Sequence, residues 1–379
     1  MPEIYQVCSR CVMDTSDPDI VFDADGVCSH CHNFDKEWSL RWFPDERGKA
    51  MLDQVMSGVR EKGKGREHDC IIGLSGGVDS SYLALVLKEY NLRPLVVHVD
   101  AGWNSELAVY NIEQVVKHCG YELHTHVMDW EEIRDLQVAY LKAGVSNQDV
   151  VQDHAFFASL YHFAVKHKIK NVISGGNIST ESVFPDSWHH DAMDASSLKS
   201  IHKKFGVKKL RQYKTIGFYE YYFHYPFIKG MTVTRPLNFM PYDKVEALEV
   251  LKEKIGYKEY GRKHGESRFT KFFQNYFLPQ KFGYDKRLPH FSSLILSGQM
   301  SREDALNELK SPLYDENELR EDKAYIAKKL GISVSDLEGF AGSEGIHYTE
   351  YRNWDKKYRM LSLMKKVVRK LGWFKLKTY

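Results

Sequence analysis

A run at residues 70–81, CIIGLSGGVDSS, joins an apolar segment directly to serines, glycines and an aspartate. Residues 70–74 suit a buried parallel strand, and the apolar positions of 83–90 recur at helical spacing. The residues between them therefore form a strand-to-helix turn, where glycines let the backbone approach an anion and free helix N–H groups bind it. The sequence predicts a phosphate cradle made by Ser75, Gly76, Gly77, Val78, Asp79 and Ser80.

Asp79 would repel bare phosphate, so its carboxylate indicates Mg²⁺ between itself and the phosphate oxygens. The run is neither a Walker A loop, which needs Gly-Lys-Ser/Thr, nor a dinucleotide fingerprint. It resembles the PP-loop, S-G-G-x-D-S, of the ATP pyrophosphatases. That resemblance implies cleavage of ATP between its α and β phosphates, transfer of AMP to a carbonyl oxygen, and catalytic roles for Ser75 and Asp79.

Strand-like and amphipathic helical segments alternate after this turn. Strands are predicted at 71–74, 95–99, 122–128, 172–174 and 231–234, and helices include 106–118, 156–167 and 242–254. This order predicts an α/β fold with a doubly wound parallel sheet of the PP-loop ATP pyrophosphatase type. The length of 379 residues indicates several units: a zinc ribbon with connector at 1–60, the PP-loop domain at 61–240 and a helical, substrate-binding region at 241–379.

Polar residues follow two of the predicted strands, at the edge of a parallel sheet where ligands bind. The PP-loop resemblance places Val99 and Asp100 against adenine and ribose, and Gly175 and Asn177 over the nucleotide. The long segment 180–229, rich in aromatic side chains, is expected to be functional or partly helical.

Four cysteines near the amino terminus form two pairs, Cys8-x-x-Cys11 and Cys28-x-x-Cys31. This spacing predicts a closed, structural Zn²⁺ site with four thiolate ligands. His30 or His32 could replace one cysteine, and an iron–sulfur cluster is a less favoured alternative because Asp23-Ala-Asp-Gly26 is typical of a zinc-ribbon hairpin.

Cations alternate with aromatic residues between 260 and 293, a pattern that suits nucleic acid or a phosphorylated small molecule. Three motifs in and after this range indicate a family when they are taken with the paired cysteines and Ser174-Gly-Gly-Asn177. They are Lys263-His-Gly-Glu-Ser-Arg268, Lys281-Phe-Gly-Tyr-Asp-Lys-Arg287 and Ser297-Gly-Gln-Met-Ser-Arg302. Together they resemble the N-acetyl sugar amidotransferases of bacterial O-antigen and surface-polysaccharide biosynthesis, over Cys8 to about Asn353.

The resemblance implies an enzyme that uses ATP and Mg²⁺ to convert the acetamido group of a nucleotide-linked sugar into an acetamidino group. It implies catalytic roles for Lys286 and Arg287 beside Ser75 and Asp79. The substrate-binding residues that it indicates are Arg268, Lys271, Lys286, Arg287 and His290. Pro2 stands where an amino-terminal glutaminase would need cysteine, so ammonia is expected from a separate glutaminase pair similar to that of histidine biosynthesis.

Two other classes of function are weighed against this one. A tRNA-thiolating enzyme would need cysteines after the PP-loop, where only Cys119 remains; a non-enzymatic zinc-ribbon scaffold would not bind ATP. A net charge of +2 favours no particular partner, and no nucleic acid is expected to bind. The absence of a signal pattern favours a cytoplasmic location. The basic, amphipathic tail at 356–379 is expected either to pack on the protein or to dock on a partner or membrane.

Overall fold

The computed structural model describes residues 5–188, 190–260 and 266–370, the last six by their backbone alone. Predictions that concern residues 261–265 or the tail beyond 370 therefore lie outside the described residues.

A five-stranded sheet forms the centre of the chain, with the strand order β3-β2-β1-β4-β5. All the pairings between neighbouring strands are parallel. The strands are β1 (Cys70–Gly73), β2 (Pro94–Asp100), β3 (Glu122–Val127), β4 (Asn171–Ile173) and β5 (Thr232–Thr234). The predicted parallel α/β fold is confirmed, and each predicted strand lies within about one residue of its expected place.

Helices surround the sheet and continue beyond it. In the first half of the chain they are α1 (Ser29–Asn33), α2 (Glu46–Gly63), α3 (Val78–Glu89), α4 (Glu106–Cys119), α5 (Trp130–Ala143), α6 (Val150–Lys166), α7 (Ile178–Glu181) and α8 (Ala195–Phe205). In the second half they are α9 (Lys244–Ile255), α10 (Arg268–Phe272), α11 (Leu278–Phe282), α12 (Arg287–Leu296), α13 (Arg302–Glu308), α14 (Glu316–Leu330), α15 (Val334–Gly342) and α16 (Asp355–Lys370). Among the described helices, none is both long enough and apolar enough to cross a bilayer.

Alternate residues of the central strands enter two different cores, as expected for a sheet covered on both faces. Ile71 and Val97 pack with α5, α6 and α8 on one face. Ile72 and Val96 pack with α2, α3, α4 and α9 on the other. Helix α2, most of which lies within the predicted ribbon-and-connector unit at 1–60, thus contributes Leu52 and Met56 to the core of the sheet.

The carboxyl-terminal helices cover the edge of the sheet where the strands end. Phe269, Phe272 and Phe277 pack on Trp103, which follows β2, and on helix α14. Residues of α12 and α13 pack on the four cysteines of the amino-terminal ribbon. The carboxyl-terminal helices therefore contact both the exit of β2 and the amino-terminal ribbon.

The 180–229 segment is partly helical, as expected. It contains α7, α8 and a π-helix at Glu220–Ile228. Tyr213, Ile216 and Tyr225 are buried in the core with α6, whereas Tyr219, Phe227 and Ile228 are exposed.

Candidate nucleotide and zinc sites

The turn between β1 and α3 forms a compact loop held by its own hydroxyl groups. The Ser75 and Ser80 hydroxyl oxygens lie 3.2 Å apart, and the Gly77 N–H donates to Ser75 Oγ at 3.3 Å. Gly77 is the N-cap of α3 and offers no side-chain cap, so the first N–H groups of this helix remain available to a ligand. This geometry suits the predicted phosphate cradle.

Two glycines permit the close packing of this loop. Gly76 has φ of +85°, and a Cβ there would lie 2.8 Å from the carbonyl oxygen of Ala108. A Cβ on Gly175, which follows β4, would lie 3.2 Å from the carbonyl oxygen of Asp79. A larger residue at either position would push the neighbouring segments apart. Gly175, which is predicted to close over the nucleotide, therefore lies against the phosphate cradle.

Asp79 lies in the first turn of α3, where the helix dipole favours a negative charge. Its Oδ1 accepts hydrogen bonds from the Asn177 side-chain amide at 3.1 Å and from the Tyr242 hydroxyl. Burial and the neighbouring Asp79 carboxylate raise the pKa of Tyr242, so this phenol stays protonated as a donor. Sequence reasoning found Asp79 and Asn177 but missed Tyr242, 163 positions from Asp79.

Asn177 has two functions at once. Its side-chain oxygen caps α7 by accepting from the Thr180 N–H at 3.0 Å, and its amide nitrogen donates to Asp79. The cap therefore fixes the side chain in the orientation that holds the carboxylate.

Two further tyrosines reach the loop from the chain after α9. The hydroxyl groups of Tyr257 and Tyr260 donate to the Gly76 carbonyl oxygen at 2.8 and 2.9 Å. Asn111 of α4 in turn donates to the Tyr260 oxygen at 3.1 Å. These contacts hold the Gly76 carbonyl away from the helix end, so that backbone N–H groups can face a phosphate.

Asp100 and Val99, predicted to lie against adenine and ribose, have different surroundings. Asp100 Oδ1 accepts from the Gly102 N–H at 2.7 Å and the Asn104 amide at 3.1 Å. A concave surface with a volume of about 170 Å³ is lined by Asp100, Gly102, Val127, Met128, Trp130 and Lys329. Val99 is buried in the core of the sheet, so it could contact a nucleotide only through its backbone.

The carboxyl-terminal region is tied directly to the exit of β2. The Ser105 N–H donates to the Glu266 carbonyl at 2.8 Å, and the Arg268 N–H donates to the Trp103 carbonyl at 3.1 Å. Glu266 Oε1 lies 3.6 Å from the point that a Cβ on Gly77 would occupy. The segment beginning at Glu266 therefore borders the phosphate cradle.

Three of the predicted substrate-binding cations have protein partners in the structure. Arg268 pairs with the buried Asp322, and Lys271 Nζ lies 2.5 Å from the same carboxylate and 2.8 Å from Glu318. Arg287 pairs with Asp285 at 2.7 Å and donates to backbone carbonyls of 308–311. These contacts neutralise the cations, and direct substrate binding by them remains a prediction.

Lys286 and His290 lie at the start of α12. The Lys286 ammonium is 3.9 Å from the centre of the Phe184 ring. His290 Nδ1 lies 3.4 Å from the Thr180 carbonyl oxygen. The structure thus places both residues beside the segment that follows the Asn177 loop.

An acidic pair near Lys286 was missed by sequence reasoning, which started helix α6 too late, at residue 156. Asp149 Oδ1 accepts from Thr270 at 3.0 Å and Gln152 at 3.1 Å, and Ser267 donates to Gln152 at 3.2 Å. Burial raises the pKa of Asp149, and the nearby Asp153 carboxylate raises it further, whereas Lys286 lowers it.

The Asp153 side chain is exposed to solvent. Nevertheless, enough protein surrounds its carboxyl group that desolvation raises the pKa to about 7, against an opposing effect of Lys286. A carboxyl group that is accessible to solvent and yet largely desolvated is typical of the wall of a cleft. Carboxyl groups that titrate near neutral pH beside a lysine are candidates for proton transfer.

The four cysteines of the ribbon converge on one point and are fully buried. The distances between Sγ atoms are 3.8 Å for Cys8 and Cys31, 3.6 Å for Cys11 and Cys28, and 3.7 Å for Cys28 and Cys31. Tetrahedral zinc with Zn–S bonds of about 2.3 Å requires S···S distances of about 3.8 Å. The four thiolates therefore fit a single Zn²⁺ ion, as the sequence predicts, and are too close together for a multi-iron cluster.

The two histidines that could have replaced a cysteine have other partners. His30 Nε2 lies 2.7 Å from Asp17, and His32 Nε2 lies 2.8 Å from Asp23. Arg302 of α13 donates to the backbone carbonyls of Cys8 and Cys11. The metal site is thereby connected to α13, the helix that follows α12.

The two remaining cysteines lack the properties of a catalytic thiol. Burial raises the pKa of both Cys70 and Cys119, the latter to about 11. Cys119 Sγ also contacts the Ala84 carbonyl oxygen at 3.7 Å. Neither residue resembles the reactive cysteine that a thiolating enzyme uses.

The fold and the site define a parallel α/β protein with a PP-loop at the carboxyl edge of its sheet. Residues 266–367 match the family model of the C-terminal domain of WbpG-like LPS biosynthesis proteins. This match supports the resemblance to glycan-biosynthesis proteins noted from the sequence, and it covers the carboxyl-terminal part of the chain.

Other comparisons add little. A search of the curated proteins finds no match to this chain. The NH3-dependent NAD synthetase of Campylobacter jejuni, solved in complex with the nitrate ion, is similar at 20% identity with a TM-score of 0.26, over 36% of this chain and 59% of that protein. The NMN synthetase of Francisella tularensis is similar at 17% identity with a TM-score of 0.26, over 58% of this chain and 97% of that protein. The chain thus spans less than two thirds of the length of the first of these proteins.

Proposed function

We propose that this protein is an ATP-dependent amidotransferase of LPS or other surface-glycan biosynthesis, which converts the N-acetyl group of a nucleotide-linked sugar into an acetamidino group. One observation carries the proposal. The WbpG-like domain begins at Glu266, and this residue is hydrogen-bonded to the exit of β2 and borders Gly77 of the PP-loop. The segment matched by the glycan-biosynthesis model therefore adjoins the phosphate cradle.

The cradle supports the use of ATP. Hydroxyl groups of Ser75 and Ser80 and the N-terminus of α3 suit phosphate oxygens, and Asp79, held by Asn177 and Tyr242, suits a hard cation such as Mg²⁺. Bound Mg²⁺ would neutralise the charge on the phosphates during transfer. The residues present fit ATP with its metal ion.

The chemistry of the proposed reaction explains why ATP is needed. The amide carbonyl oxygen attacks the α-phosphorus of ATP, and pyrophosphate leaves. Ammonia then adds to the activated carbon, the carbon–oxygen bond breaks, AMP leaves with the former acetyl oxygen, and one proton is released. Such a reaction depends on positioning and on charge stabilisation more than on a side-chain nucleophile.

Asp149, Asp153 and Lys286 are candidates for the second half of this reaction. The amidine product is a cation at neutral pH, and a carboxylate nearby would favour the positive charge that develops on nitrogen. An acid that titrates near neutrality could also take the proton lost by the added ammonia. Lys286, beside the ring of Phe184, is placed to meet an anionic part of the sugar nucleotide.

The nitrogen source in this proposal is ammonia from a partner glutaminase pair, because the chain has no Gly-x-Cys-x-Gly elbow and its thiols at 70 and 119 are unreactive. The test is incubation of the purified protein with ATP, Mg²⁺, ammonium and a panel of UDP- and CMP-linked acetamido sugars. The proposal expects AMP, pyrophosphate and a product in which NH replaces oxygen. Formation of ADP, or release of AMP without change in any acetamido sugar, would contradict it.

A further inference from the structure

An exposed apolar surface lies at the carboxyl-terminal end of the described chain. Helix α16 packs on the protein through Trp354 and Leu361, both buried. Met360, Leu363 and Met364 are more than half exposed, at 60%, 63% and 53%. At 100° per residue these three side chains share one stripe of the helix, different from the packed stripe.

The π-helix Glu220–Ile228 lies next to α16 and extends this surface. Tyr222 contacts both Trp354 and Tyr358, with ring centroids 6.0 and 5.9 Å apart. Tyr219, Phe223 and Phe227 stack along the outer side of the same element, with successive centroids 5.8 and 6.5 Å apart. Tyr219, Phe227 and Ile228 are mostly exposed. Two neighbouring elements thus present aromatic and aliphatic groups to solvent.

The sequence that includes most of α16 is strongly basic. Residues 356–379 contain nine lysines and arginines and no acidic residue: Lys356, Lys357, Arg359, Lys365, Lys366, Arg369, Lys370, Lys375 and Lys377. The whole chain has a net charge of only +2, so this segment is far more basic than the rest. An occupant of the surface should be apolar where it meets Leu363 and anionic around it.

We propose that α16 and the π-helix at Glu220–Ile228, here called the apolar–basic surface, bind the interface of an anionic lipid bilayer. A helix with apolar groups beside lysines and arginines, and with tyrosine and phenylalanine at its margin, has the composition of interfacial membrane helices. A second copy of this chain is disfavoured as the occupant, because a two-fold contact would bring like charges together. An acidic protein partner is the alternative that the experiment must separate.

The experiment is sedimentation of the full-length protein with vesicles of phosphatidylcholine alone or mixed with phosphatidylglycerol. The proposal expects binding to the mixed vesicles only, weakened by salt because the attraction is screened. The double variant Met360→Ser/Leu363→Ser should lose binding at least tenfold. The triple variant Lys356→Gln/Lys357→Gln/Arg359→Gln should lose it about a hundredfold, at about fivefold per cation.

Controls keep the result interpretable. Val245→Ser removes an equally exposed apolar side chain from α9 and should bind vesicles like the wild type. All variants should keep the melting temperature and ammonium-dependent activity, so a failure of membrane binding is distinct from a failure of the proposed enzyme function.

Absence of binding to anionic vesicles, equal binding by the variants, or a dimer that the double variant dissociates would each overturn the proposal. If the wild-type protein does not bind vesicles but binds an acidic glutaminase subunit through the apolar–basic surface, the proposal is overturned in favour of a protein partner.

Discussion

Tyr242 donates its phenolic hydrogen to the carboxylate of Asp79. Tyr242 directly precedes α9 and is separated from Asp79 in sequence by the whole 180–229 segment. Asn177 donates to the same oxygen from the loop after β4. Two distant parts of the chain thus fix one carboxylate in the first turn of α3. That carboxylate is the group to which we assign the metal and phosphate chemistry.

Replacing Asp79 with asparagine should abolish most activity and leave the fold intact. The side chain keeps its size, but the charge that would hold Mg²⁺ against phosphate is lost. We expect turnover to fall by a few hundredfold, from about 3 to 4 kcal/mol of lost stabilisation. AMP formation measures the effect, and an Asp79→Asn enzyme within a fewfold of wild-type turnover would remove Asp79 from the site.

Tyr242→Phe tests whether the position of Asp79 matters apart from its charge. Loss of one hydrogen bond to a charged group should cost about 1.5 to 3 kcal/mol, or about ten- to a hundredfold in turnover. The matched control is Tyr82→Phe, because the Tyr82 ring packs 5.6 Å from that of Tyr242. Equal turnover for the two variants would show that the Tyr242 hydroxyl does not position the carboxylate.

Metal analysis should find one zinc ion per chain. Cys31→Ser should lose the metal and yield unstable protein, because structural zinc contributes on the order of 10 kcal/mol to folding. His32→Gln is the matched control and should keep the zinc, since His32 pairs with Asp23 outside the cysteine cluster. A zinc-free, stable and fully active Cys31→Ser protein would be incompatible with this assignment.

The raised pKa of Asp153 should make stability depend on pH in a defined direction. Between about pH 4 and about pH 7 the folded state binds this proton more tightly than the unfolded state, so the free energy of unfolding falls as pH rises through that range. Asp153→Asn removes this pH-dependent contribution to the free energy of unfolding. Denaturant melts should show the variant gaining stability relative to the wild type across this range. Glu61→Gln, at an exposed carboxyl of α2, serves as the control, and parallel curves for Asp153→Asn and the wild type would contradict the cleft environment.

Lys286 and Arg268 should respond differently to truncation. Arg268→Ala leaves the buried Asp322 with fewer partners and should lower the free energy of unfolding by about 1 to 3 kcal/mol. Lys286→Ala should keep the melting temperature and raise the KM for the sugar nucleotide, about tenfold for one lost charged contact. Calorimetry and steady-state kinetics separate the two, and an unchanged KM in Lys286→Ala would exclude Lys286 from the substrate site.

Local patterns in the sequence were sufficient to predict the sheet, the strand-to-helix turn after β1 and the close approach of the four cysteines. Apolar runs end at glycine and serine where the strands end, and the paired cysteines lie on short turns of fixed spacing. The contacts of Tyr242, Tyr257 and Tyr260 could not be predicted, because each depends on chain segments brought together only by the folded sheet. Asp149 and Asp153 were missed because α6 begins before its apolar periodicity becomes regular.

The central claim is that ATP activates the acetyl oxygen of the sugar as an AMP ester, on the cradle that contains Asp79. It is tested most directly with an N-acetyl sugar nucleotide whose acetyl oxygen carries a heavy isotope, incubated with the enzyme, ATP, Mg²⁺ and ammonium. Mass spectrometry should find the label in AMP, in an amount equal to the acetamidino sugar formed. Label found in inorganic phosphate, or AMP that carries none while the amidine forms, would contradict the account.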